Sequence, residues 1–140
     1  MWNSSSGVLW NSTVRANWIR KNIIILLFFL TIYIFNRIFK SYIDIYIIGY
    51  ICKCHLNDFI GGIVFCIYTN FVLIFNNKKP ITNFIQLFLL MLIVSLIWEY
   101  FFPLILPYST SDILDVFSYL LGTITYYSLT YKIFIFKKDS

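Results

Sequence analysis

The chain has 140 residues, of which 60% are hydrophobic and 12% charged, and it carries 15 Phe, 11 Tyr and a net charge of +5. Such a composition lies far outside that of soluble domains and requires lipid around it; at this length about three to five membrane spans leave no room for a separate soluble domain. The Lys and Arg residues sit in small groups beside apolar runs, not in one patch, which argues against a nucleic-acid partner and makes them topology signals.

Residues 1–21 read as a polar N-terminal tail, rich in Asn, Ser and Trp, with two glycosylation-type triplets, Asn3-Ser4-Ser5 and Asn11-Ser12-Thr13. A first span is expected over residues 22–39, where the apolar core from Ile23 to Leu30 is unbroken. No small-residue cleavage site follows it, so it reads as an uncleaved span and not as a signal peptide. Each central Leu, Ile or Phe favours insertion by roughly 0.3 to 0.6 kcal/mol, whereas a central Arg costs roughly 2.5 to 3.5, which puts Arg37 at the end of the span. Residues 42–54 are apolar, but they carry Asp44 and Gly49 and are too short to cross. Ile43, Ile47, Tyr50 and Ile51 fall at helical spacing there and predict a short interfacial helix.

The second span is expected over residues 58–76, with Asn57-Asp58 as a capping signal and Gly61-Gly62 allowing close approach of a neighbour. Asn76-Asn77-Lys78-Lys79-Pro80 forms a tight basic turn. A third span over residues 81–102 is closed by Pro103 and Pro107, and a fourth over residues 112–131 follows Ser109-Thr110-Ser111. The fold class is thus all-α, a polytopic membrane helical bundle of about four transmembrane helices plus a short interfacial helix, with residues 22–140 as one domain.

Four spans would bring Arg15, Arg20, Lys21, Lys78, Lys79, Lys132, Lys137 and Lys138 to one side and Arg37, Lys40 and Lys53 to the other. The positive-inside rule then places both termini in the cytoplasm. The acids sort the opposite way: Asp44, Asp58, Glu99, Asp112 and Asp115 fall near the outer helix ends, and Asp139 alone is inside.

Glu99 stands out because it lies in an apolar stretch, Ser95-Leu96-Ile97-Trp98-Glu99-Tyr100-Phe101-Phe102, and ionisable groups in a membrane are costly enough to be functional candidates. The plainer alternative is a structural pair with Arg37, Lys40 or Lys53. Asp112 and Asp115 share a helical face that continues through Tyr119, Gly122 and Tyr126 and should turn inward. Capping of the helix N-terminus is the plainer alternative here. Cys52-Lys53-Cys54-His55 resembles half a metal clip, but zinc cysteines are usually two to four residues apart and need a second ligand pair, so two interfacial cysteines without a metal is the favoured reading. His55 with Asp58 nevertheless falls beside Glu99, Asp112 and Asp115 in this topology, and these five are the candidate ligand-binding residues. No phosphate loop, nucleophile elbow or HExxH helix occurs in the sequence, so no enzymatic reaction is specified.

Trp98-Glu99-Tyr100-Phe101-Phe102-Pro103, then Asp112-Ile113-Leu114-Asp115-Val116 and Tyr119-Leu120-Leu121-Gly122, resemble the C-terminal half of VanZ-like membrane proteins. The resemblance implies a small multi-span protein of the bacterial cell membrane, in a family associated in some members with glycopeptide resistance, whose molecular activity is not settled. The expected function is binding of a polar or cationic ligand, a small cation or an envelope-lipid headgroup, by the outward carboxylates; cofactors are left open. Two alternatives stand beside it: an ion-coupled transport component, and a non-catalytic accessory protein that packs through its glycines into a helix-mediated oligomer.

Overall fold

The computed structural model describes residues 12–39, 42, 47, 49–50, 54–106 and 112–135, with side chains to residue 130. All of the regular structure described is helical. The four long helices are α1 (Ser12–Phe39), α2 (Leu56–Phe75), α3 (Phe84–Ile105) and α4 (Ile113–Ile135). Most of the segment expected to form an interfacial helix, residues 42–54, lies outside the described residues, as do residues 107–111 and the two glycosylation-type asparagines.

Three helices, α1, α2 and α3, are long and apolar enough to cross a membrane. The fourth expected span, α4, has 23 residues but is interrupted by Ser118, Tyr119, Thr123, Thr125, Tyr126, Ser128 and Thr130, so length and apolarity do not by themselves single it out. Those hydroxyls are compatible with a helix interior because several bond back to a carbonyl one turn earlier, as Ser118 does to Leu114 at 2.9 Å and Thr130 to Tyr126 at 2.9 Å.

The helices alternate in direction, with α2 and α4 as the central pair, α1 on α2 and α3 on α4. Burial on α1 follows a narrow stripe, Trp18, Asn22, Phe29 and Asn36, at three-to-four and seven-residue steps. The rest of α1 presents Ile24, Leu27, Phe28, Phe35 and Ile38 outward. α1 begins at Ser12 and not near Asn22, so half of the expected N-terminal tail is helical. The cause is tertiary: Trp18 is buried in the core, and Arg15 donates to the Ile74 carbonyl at 3.1 Å and to Asn77 Oδ1 at 3.2 Å, answering the free end of α2.

The basic turn forms as expected. Asn77 sits at φ 58, and the N–H groups of Asn77 and Lys78 return to the carbonyls of Ile74 and Leu73, a Schellman ending that Asn tolerates. α3 starts at Phe84, not Ile81, because Asn83 accepts from the N–H groups of Ile85 and Gln86 as N-cap. Pro103 does not end α3. The helix widens into a π turn over Ile97–Phe101 and continues to Ile105. Proline supplies no N–H to the carbonyl of Glu99 and its ring crowds that carbonyl, so the wider turn lets the chain pass.

The interior joins three helices by polar contacts. Tyr126 donates to Asn22 Oδ1 at 2.9 Å and accepts from Asn70 Nδ2 at 3.0 Å, while Asn70 Oδ1 accepts from the Ile81 N–H at 2.7 Å. Each of these groups would be costly to bury unpaired, so the set fixes the relative rotation of α1, α2 and α4.

Candidate functional site

The depth of the site is set by glycines. A Cβ at Gly62 would strike the Tyr119 carbonyl, and a Cβ at Gly122 would strike the Phe59 carbonyl, so α2 and α4 cross backbone to backbone. This reciprocal contact brings the first turn of α2 beside the first turns of α4.

Five sequence-expected residues meet there. His55 Nδ1 lies 2.9 Å from Asp115 Oδ1, an ion pair when the imidazole is protonated. Tyr119 donates its hydroxyl to Asp58 Oδ1 at 2.8 Å. Glu99, which the π turn carries inward until it is only 6% exposed, accepts the Asp112 N–H at 3.3 Å. Asp112 in turn caps α4 by accepting the Leu114 N–H at 2.9 Å. The carboxylates of Asp58, Glu99 and Asp115 stand within electrostatic reach of one another.

One expectation about caps is overturned. Asn57-Asp58 does not cap α2: the N-cap is His55, without a side-chain bond, because Asn57 accepts from Asn36 of α1 at 3.1 Å and Asp58 is taken by Tyr119. Capping by Asp112 is real, and a carboxylate oxygen of the same group still lies within 4.8 Å of ligand atoms of His55 and Asp115. Cys54 is exposed and free, outside the group of convergent ligands; Cys52 lies outside the described residues.

His55, Asp112 and Asp115 offer ligand atoms all within 4.8 Å of one another, a spacing that suits a shared cation. The His55 Nε2 atom is buried and has no hydrogen-bond partner among the described residues, while the Tyr50 ring packs edge-on against the imidazole at 5.5 Å. Among the described residues no Lys or Arg pairs with these carboxylates; of the three expected partners Arg37 is exposed at the end of α1, and Lys40 and Lys53 lie outside the described residues. Four carboxylates are answered here, among the described residues, by one imidazole.

Tyr119 is the site residue that sequence reasoning passed over. It was visible as the continuation of the Asp112 and Asp115 face, but its bond to Asp58 depends on the glycine crossing, which no local pattern specifies. No protein-family model, curated protein or solved structure matches the chain.

Proposed function

We propose that the chain is a small VanZ-like integral membrane protein of the bacterial cell membrane, with both termini cytoplasmic, whose His55, Asp58, Glu99, Asp112 and Asp115 bind a cationic ligand at the outer face. The observation that carries this reading is the convergence, from α2, α3 and α4, of four carboxylates with, among the described residues, one imidazole as counter-charge. Like charges held together near an apolar medium are unfavourable without a compensating cation. Oxygen-rich ligands with one imidazole suit a hard divalent cation or an ammonium group. The topology rests on the basic residues: Arg15, Lys78 and Lys79 lie at the end opposite the cluster.

The test is calorimetric titration of the full chain in detergent with Mn2+ as probe cation. Saturable binding that is lost in Asp115→Asn and Asp58→Asn, with helical content unchanged, supports the reading; a native protein that takes up no Mn2+ sinks it.

A second reading, an ion-coupled transport component, is favoured by the polar row that continues inward from Tyr119 through Thr123 to Tyr126, Asn22 and Asn70. The row contains hydroxyls and amides but no deeper acid. Cation flux into proteoliposomes that stops in Tyr126→Phe would favour transport over binding.

A further inference from the structure

α2 and α3 make only slight contact with each other, since both lean on α4 from different sides. Between them lies a cavity of about 400 Å³, within the range of small-molecule sites. Gly61 and Phe65 of α2, Met91, Val94 and Trp98 of α3, and Tyr119 of α4 line it. The lining is almost wholly apolar, and Trp98 at its edge is 54% exposed. Gly61 leaves this space open: a Cβ there would press on the Tyr119 ring at 3.2 Å.

Tyr119 belongs to both features. Its ring forms a wall of the cleft, and its hydroxyl bonds Asp58 in the carboxylate cluster. Asp58 stands one helical turn from Gly61 on the same side of α2. Through Tyr119 the apolar cleft thus adjoins the acidic cluster. A free inorganic cation has no use for the cleft, and a lipid of net negative charge is repelled by the cluster; an amphiphile with a chain and a head that ends in an ammonium group fits both.

We infer that the cleft and the cluster together hold one bilayer lipid, its acyl chain between α2 and α3 and its primary ammonium headgroup among Glu99, Asp58 and Asp115. This rests on the cation-binding reading above and names the ligand class. A primary ammonium donates hydrogen bonds to carboxylates, which a quaternary one cannot do, so ethanolamine headgroups are selected over choline headgroups.

The experiment uses the full chain in phosphatidylcholine nanodiscs carrying a minor fraction of lipid with brominated acyl chains, and reads quenching of tryptophan fluorescence. Brominated phosphatidylethanolamine is expected to quench with a preference of about tenfold over brominated phosphatidylcholine, the size of one charge-assisted hydrogen bond. The excess should vanish in Trp98→Phe, which removes the reporter. Val94→Phe and Met91→Phe fill the cleft from two positions outside the π turn; either, if folded, should abolish the preference while Mn2+ binding persists. Equal quenching by the two lipids in a protein that binds Mn2+ overturns the lipid inference and spares the cation reading. A preference that survives both filling variants overturns the assignment to this cleft, and loss of Mn2+ binding in the native protein overturns the reading beneath it.

Discussion

His55 Nδ1 and Asp115 Oδ1 are 2.9 Å apart although 60 residues separate them in sequence, and this contact ties the N-terminal ends of α2 and α4. Its side chains remain 14% and 21% exposed, so water still screens the charges. The coupling between the two residues should therefore be modest, about 1 kcal/mol or less when the imidazole is protonated. A double-mutant cycle of His55→Ala and Asp115→Ala on thermal stability in detergent measures it. A coupling several times larger would mean a dry, structural pair and would weaken the case that these groups are kept for a ligand.

The glycine crossing gives a sharper stability forecast. Gly62→Ala and Gly122→Ala each drive a methyl group into a carbonyl of the opposite helix and should cost about 1 to 3 kcal/mol. Gly61→Ala meets only the Tyr119 ring at 3.2 Å, a side chain that is able to shift, so its cost should be the smallest of the three. Equal stability of all three variants would show that α2 and α4 are not held at this distance.

The inner network predicts a different size of effect. Tyr126→Phe removes the hydroxyl that donates to Asn22 and accepts from Asn70, both fully buried. Hydrogen bonds between membrane helices average about 0.6 kcal/mol, but two partners are orphaned here, so a loss of about 1 to 2 kcal/mol is expected. A neutral substitution would place water in the interior.

Much of this arrangement could be read from the chain because spacing on a helix face is local. Asp112, Asp115, Tyr119, Gly122 and Tyr126 formed one stripe in the sequence and form one inward face in the fold. The start of α1 could not be read in that way: Arg15 and Trp18 look like tail residues until the end of α2 and the core supply their partners. Pro103 likewise reads as a helix end, since a rule about the α-helix says nothing of a π turn that absorbs the proline. The pairing of Asp58 with Tyr119 depends on which helices are neighbours and how deeply they cross.

Topology is testable through two cysteines of opposite character. Cys54 is exposed near the carboxylate end, whereas Cys66 is buried and donates to Thr123 at 3.6 Å. With the cluster on the outer face, a membrane-impermeant maleimide should label Cys54 in intact cells of a Cys52→Ser variant and leave Cys66 untouched until denaturation. Labelling of Cys54 only after the membrane is breached would invert the proposed orientation.

The last expectation concerns Pro103, which shapes the site without touching it. Glu99 lies within the π turn Ile97–Phe101, where the Phe102 N–H reaches back to the Ile97 carbonyl. Alanine at position 103 restores an N–H that suits the Glu99 carbonyl in an ordinary α-helical pattern, and it removes the ring that crowds that carbonyl. Closing the π turn to α geometry changes the winding of this segment by about one residue, roughly 100° around the axis, because an α-helix turns once per 3.6 residues. Glu99 would then swing away from the Asp112 N–H and out of the cluster. Pro103→Ala should thus raise thermal stability slightly, since proline within a helix is unfavourable, and at the same time weaken Mn2+ binding by about tenfold, as loss of one charged ligand would. Glu99→Gln should weaken binding comparably without the gain in stability. Calorimetric titration of both variants beside their melting curves separates the two effects, and unchanged affinity in Pro103→Ala would show that the π turn is not what holds Glu99 in the site.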